Sequence, residues 1–241
     1  MTDPIRPISE YVNTQKIIEN VNKLSFEQLL YYLGNYDFLI WKVEGLDLYI
    51  TIDFESRHKD HKRVNIVTKN LDEETKLQLA IEKLYSVSLY TGRGLRNVLR
   101  GLVIHDAYSN AIGFHLPCEV EVPVKDTNRK IAGRADLVCG EYVLELKSGK
   151  RNKNHAYQLL IYMDLLNKQK GFLVYEDEVI PYSLDKNLLT EAYQRLNEIY
   201  AEVDSVSQNI SMYRNRILKE FNITVGGLID KLDSYKRSIK Y

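Results

Sequence analysis

Only two cysteines, Cys118 and Cys139, occur in the 241 residues. A protein-held iron–sulfur cluster or a cysteine-only zinc site normally needs four thiolates, so no iron–sulfur cluster is expected, and both thiols read as reduced and structural. Nowhere do about 18 uncharged apolar residues run together, so no membrane partner is expected. The start, Met1-Thr2-Asp3-Pro4, lacks a basic segment followed by an apolar one. The expectation is a cytoplasmic, intracellular protein, a viral protein made in a host cell included. Net charge is also missing: 33 Lys and Arg balance 33 Asp and Glu. That argues against coating nucleic acid by bulk charge but leaves room for a local basic groove. No repeat or low-complexity tract is visible.

What is present suits one large domain, or a catalytic core with appended elements, since 44% of the residues are hydrophobic. The 18 tyrosines read mainly as packing residues with a polar tip. Residues 1–23 suggest a loosely held arm and a short helix over 13–22, followed by a helix over 26–33 with Ser25 as N-cap and Gly34-Asn35 as its stop. Three β-like runs, 38–43, 46–54 and 63–68, are separated by Glu44-Gly45 and a charged stretch over 55–62, and predict a three-stranded meander. Helical spacing covers 72–90 and 94–110. Strands are predicted over 116–124, 130–138 and 142–148, a helix over 153–168, and short strands over 170–175 and 179–182. Helices are expected over 186–204, 207–221 and 225–239. The predicted fold is α/β, a mixed central sheet flanked by helices, with an N-terminal meander and C-terminal helices. The expected division is an accessory region over 1–75, a core over 76–205 and a helical extension over 206–241.

Chemistry concentrates in Gly133-Arg-Ala-Asp-Leu-Val-Cys-Gly-Glu-Tyr-Val-Leu-Glu-Leu-Lys147. If Gly140-Glu141 is a two-residue loop, with Gly supplying the positive φ of a type II′ turn, Asp136 lies opposite Glu145. Strand alternation then brings Lys147 to the same face and sends Ala135, Leu137, Leu144 and Leu146 to the other. Two acids side by side in a sheet repel and lose hydration, a cost that a shared cation removes. Mg²⁺ or Mn²⁺ on such acids, with a substrate phosphate, suits phosphodiester hydrolysis. Glu-x-Lys alone is a weak signal, because a cross-face ion pair also produces it.

The combination of Gly101-x-x-x-His105, Gly133-x-x-Asp136, Glu145-x-Lys147 and Gln158-x-x-x-Tyr162 resembles the PD-(D/E)XK nucleases, and within them the RecB-like exonuclease group. The resemblance covers about residues 95–165 and implies a restriction-endonuclease-like core. It implies a metal held by His105, Asp136, Glu145 and the main-chain carbonyl of Leu146, with Lys147 assisting catalysis. Ala135 stands where the family's eponymous proline would be, a common departure in that group. The cysteine cluster of its iron–sulfur members is missing.

Gln158 and Tyr162, one helical turn apart, are expected to support the site or touch substrate, where the plainer reading is a polar surface stripe. Lys150, Arg151 and Lys153, in a loop before a helix N-terminus, and His155 beyond them are candidate nucleic-acid contacts, against the alternative of a solvated loop. Glu119 and Glu121 are noted as candidates for a second metal. The leading expectation is a metal-dependent DNA nuclease of the RecB-like exonuclease type, acting on single strands or duplex ends. A structure- or sequence-specific endonuclease and a non-catalytic nucleic-acid-binding or assembly protein are the alternatives. The C-terminal helices suit the core, a DNA clamp or pairing with a second copy in a homo-oligomer.

Overall fold

A computed structural model describes residues 5–36, 39–52, 61–213, 217–218 and 222–239. In chain order, helices α1 (Ile8–Tyr11), α2 (Thr14–Lys23) and α3 (Phe26–Gly34) precede strands β1 (Leu39–Lys42), β2 (Tyr49–Ile52) and β3 (Lys62–Arg63). Then come α4 (Glu73–Tyr85), β4 (Ser88–Tyr90), α5 (Gly92–Gly113), β5 (Cys118–Asp126), β6 (Ile131–Cys139) and β7 (Tyr142–Leu146). They are followed by α6 (Lys153–Leu165), β8 (Lys170–Val174), β9 (Val179–Ser183), α7 (Lys186–Gln208), β10 (Ile217–Leu218), β11 (Ile223–Thr224) and α8 (Val225–Ile239). Phe38, Asp53-Phe54, and the expected charged stretch up to Asp60 lie outside the described residues.

Two compact units divide the chain, one formed by residues 1–25, 60–69 and 97–198, the other by 26–59, 70–96 and 199–241. In the first unit, β6 pairs antiparallel with β5 along one edge; on the other, its start pairs parallel with β3 and its end antiparallel with β7. β7 continues through α6 to its parallel neighbour β8, and β9 closes that side antiparallel. The sheet is therefore mixed, as expected, and helices flank it.

Ile104, Tyr108 and Ile112 of α5 pack with Leu137, Leu144 and Leu146, and the same cluster takes in Ile5, Ile8 and Val12. Residues 5–12 are thus not a loose arm: their apolar side chains are buried, and the Ile8 amide donates to the Tyr175 carbonyl at 2.9 Å. Asn152 caps α6 by accepting the Asn154 amide at 2.9 Å. α6 then lies tightly on β8, because a Cβ on Gly171 would come within 2.8 Å of Met163 Sδ, 2.9 Å of Leu159 Cδ1 and 2.9 Å of the Val143 carbonyl oxygen. Gly171→Ala is expected to lower stability by about 1–3 kcal/mol through overpacking, read from the denaturant midpoint.

Four expectations are corrected. Residues 64–68 form a 3₁₀ helix instead of a strand: Val64, Ile66 and Val67 are all buried, a pattern a half-exposed strand cannot produce. The meander's third strand is instead β4, antiparallel to β2. It is freed from the predicted helix because Ser86, at φ +54°, ends α4 in a left-handed turn. In place of a helix over 207–221 stand a 3₁₀ turn at Ile210–Tyr213 and the β10–β11 hairpin, residues 214–216 and 219–221 lying outside the described set. Cys118 and Cys139 are also not free thiols: they sit opposite each other in the β5–β6 register and form a disulfide.

Candidate metal and catalytic centre

The β6–β7 hairpin turns at Gly140, whose φ of +58° is what the first position of a type II′ loop demands. Cys139 pairs with Tyr142, Val138 with Val143, and Leu137 with Leu144. One step further, Asp136 and Glu145 join the strands differently. The Asp136 amide donates to Glu145 Oε1 at 3.2 Å, and the Leu146 amide donates to Asp136 Oδ2 at 2.7 Å. Carboxylate oxygens here take acceptor places that carbonyls fill in an ordinary ladder.

Glu145 has no solvent exposure, and its other oxygen accepts from Lys147 Nζ at 2.9 Å. The same ammonium donates to Gln158 Oε1 at 2.8 Å. Gln158 Nε2 donates to the Tyr162 hydroxyl at 3.4 Å, and that hydroxyl accepts the Arg134 amide at 3.3 Å. Gln158 and Tyr162 are buried, so they are an internal brace for Lys147 and not a surface stripe. The glycine of Gly133-x-x-Asp136 also gains a reason: a Cβ there would sit 2.7 Å from Tyr162 Cε1.

Burial pushes the Asp136 carboxyl above its ordinary range, against the partial opposition of Lys147 and the Leu146 amide. Glu145 is pushed up as well, by burial first and then by the charge of Asp136. For Lys147, burial works against the charge, but Glu145 and Asp136 outweigh it and the pKa rises. The ammonium stays protonated, and the acids carry an uncompensated cost that a cation would remove.

On another side of Asp136 lies His105 of α5, with Nδ1 3.7 Å from Oδ1. Burial lowers the His105 pKa despite the nearby acids Glu121 and Glu145, which favours the neutral imidazole that ligates metals. Glu121 falls opposite Asp136, between the pairs Val120–Leu137 and Val122–Ala135, and has φ +54°. One donor atom each from His105, Glu121 and Asp136 lie within 4.8 Å of one another. Of the two glutamates noted in β5, Glu121 is the one brought to the site.

Among the expected nucleic-acid contacts, Lys150 and Lys153 are exposed, whereas Arg151 pairs with Glu178. His155 is partly buried, with Nδ1 2.8 Å from the Tyr175 hydroxyl, and its pKa falls to about 4 through burial and then the charge of Lys147. Arg134 and Tyr175 were not singled out in the sequence. Arg134 donates through Nη1 to Glu121 Oε2 at 3.1 Å; its place beside Gly133 was the one available signal.

A profile of the PD-(D/E)XK nuclease superfamily matches residues 75–179, the stretch holding all these site residues from His105 to Tyr175. The chain is also 30% identical over 141 residues to the CRISPR-associated exonuclease Cas4 of Saccharolobus solfataricus. That match covers 50% of the chain and 64% of the relative, so the chain spans less than two thirds of that protein's length. Among solved structures, it is similar to SSO0001, with a TM-score of 0.44 and 18% identity over 71% of this chain and 84% of that one. It is also similar to the alkaline exonuclease LHK-Exo of Laribacter hongkongensis, with a TM-score of 0.48 and 13% identity over 65% and 94%.

Proposed function

We propose that the chain is a divalent-metal-dependent DNA nuclease that hydrolyses phosphodiester bonds, with Asp136, Glu145 and Lys147 at its centre. The observation that carries this reading is the arrangement of two buried acids bonded across the hairpin to each other's strands, with a lysine held between Glu145 and Gln158. The donor set fits Mg²⁺ or Mn²⁺: carboxylates and one neutral imidazole, with the acids held above their usual pKa by burial. Asp136, His105, Glu145 and the Leu146 carbonyl are the groups we assign to hold it. Bound there, the ion would offset charge on the phosphate and make a water more acidic.

The protein's own groups have distinct tasks. Lys147 places a fixed positive charge where negative charge builds on the phosphate, and its two acceptors prevent it from swinging away. Gln158, braced by Tyr162, sets the height of that ammonium above the strand. Lys150 and Lys153 attract the phosphate backbone, and Asn152 and the start of α6 add backbone amides to the same edge. The exonuclease name of the Saccharolobus relative supports action on single strands or duplex ends.

The test is cleavage of end-labelled single- and double-stranded DNA with Mg²⁺ or Mn²⁺, with and without EDTA. Metal-dependent shortening of the label that disappears in Asp136→Ala is expected. Intact substrate under every condition would defeat the proposal.

A further inference from the structure

Asp136 sits between two sets of neighbours, and they differ in what they leave open. On the hairpin side both oxygens of Glu145 are engaged, one by the Asp136 amide and the other by Lys147, and Asp136 Oδ2 is taken by the Leu146 amide. The remaining oxygen, Oδ1, is the one nearest His105 Nδ1. Among the described residues the His105 imidazole makes no hydrogen bond, although only a quarter of its side-chain surface is exposed. Glu121 reaches this same space from β5, with one oxygen on Arg134 and its second without a hydrogen bond among the described residues. One donor atom from each of three residues on three elements therefore lies within 4.8 Å of the others.

A nitrogen and two carboxylate oxygens at that spacing define one side of a coordination shell, leaving the other positions to water and phosphate. Imidazole is a better ligand for transition metals than for Mg²⁺, so this set favours Mn²⁺. Glu121 also differs from its neighbours in backbone: at φ +54° it leaves the extended conformation that Val120 and Val122 keep in the ladder. Arg134 steadies the carboxylate without removing it from the cluster, since it occupies one oxygen only.

We propose that Glu121 is a further direct protein ligand of the divalent cation, joining His105 and Asp136 on the side of the ion away from Glu145 and the Leu146 carbonyl, in a set that binds Mn²⁺ in preference to Mg²⁺. This rests on the reading of the site as a metal centre. It adds to that reading a ligand supplied by β5, outside the Asp136 and Glu145-x-Lys147 motifs.

The experiment is titration of the full chain with Mn²⁺, free ion being counted by its electron paramagnetic resonance signal, and competition with Mg²⁺. The variants are Glu121→Gln, Glu121→Asn, Glu119→Gln, Arg134→Gln and Asp136→Asn. Asparagine at 121 tolerates the left-handed backbone while removing the carboxylate, so it separates ligation from conformation. Expected are a loss of Mn²⁺ affinity of roughly tenfold or more in both Glu121 variants, as for loss of a metal-site group, and a reduced preference over Mg²⁺. Glu119→Gln should bind Mn²⁺ within about twofold of the parent, and Arg134→Gln, which loosens the Glu121 carboxylate but keeps it, should lose clearly less than the Glu121 variants. Parent-like binding by both Glu121 variants, with Asp136→Asn abolishing it, would overturn the role of Glu121 and leave the metal centre standing. If Arg134→Gln lost as much as Glu121→Gln, the ion pair and not ligation would explain the effect, and the proposal would fall. Binding unaffected even by Asp136→Asn would overturn both readings.

Discussion

Replacing Lys147 with methionine should lower the rate of metal-dependent DNA cleavage by about 10²–10⁴-fold, the range for losing a positioned charge or acid–base group. Methionine keeps much of the length and all of the apolar stem but removes the ammonium. The size of the effect follows from how firmly that ammonium is placed. Glu145 and Gln158 hold it at 2.9 and 2.8 Å, and only 13% of the side chain is exposed. Lysine also balances Glu145, which is fully buried, so its loss drives Glu145 to take a proton. Pairing Lys147→Met with Glu145→Gln tests the stability part alone, since Glu145 is itself assigned to the metal: the double variant should regain stability. Single-turnover cleavage under saturating Mn²⁺ is the measurement, and a single variant within tenfold of the parent would remove Lys147 from the chemistry.

The second large effect concerns the protein without metal. Folding raises the Asp136 pKa from 3.8 to about 6 and that of Glu145 from 4.5 to about 7. Between about pH 4 and 7 these two acids bind more protons in the folded chain than in the unfolded one, so their contribution to stability falls as pH rises. His105 and His155, whose pKa values fall on folding, contribute with the opposite sign, and comparing the parent with an Asp136 variant isolates the acid. Asp136→Asn removes one of the two charges and keeps an oxygen to accept the Leu146 amide. In EDTA at pH 8 it should be more stable than the parent by on the order of 2 kcal/mol, from a shift of about two units discounted for relaxation around the pair. Mn²⁺ should narrow the gap by stabilising the parent alone. Melting curves from pH 5 to 8, with EDTA and with Mn²⁺, decide it; equal slopes for parent and variant in EDTA would show that the acids carry no such cost.

Much of the centre was readable because its signals are local. Gly140 has to supply a positive φ, the hairpin register follows from the two-residue loop, and Gln158 and Tyr162 are one helical turn apart. What escaped depends on distant partners or on ambiguous periods. Val64, Ile66 and Val67 fit a strand by composition, and only burial of all three reveals the 3₁₀ turn. Ser86 and Glu121 adopt a left-handed backbone that neither residue type announces. Cys118 and Cys139 were too far apart in sequence to pair by spacing, and only the β5–β6 register sets them opposite each other.

The exchange of carbonyls for carboxylates at Asp136 and Glu145 has a consequence for how freely this centre could change. An acid on an exposed loop is tied to its position only by what its tip must reach. Here each acid also completes the backbone pairing of the opposing strand, so its length and its address are fixed twice, once by reactivity and once by the sheet. Lengthening Asp136 by one methylene displaces the Leu146 amide along with the ligand atom. In this chain a change of length at either acid therefore breaks a strand-to-strand bond as well as moving a reactive oxygen.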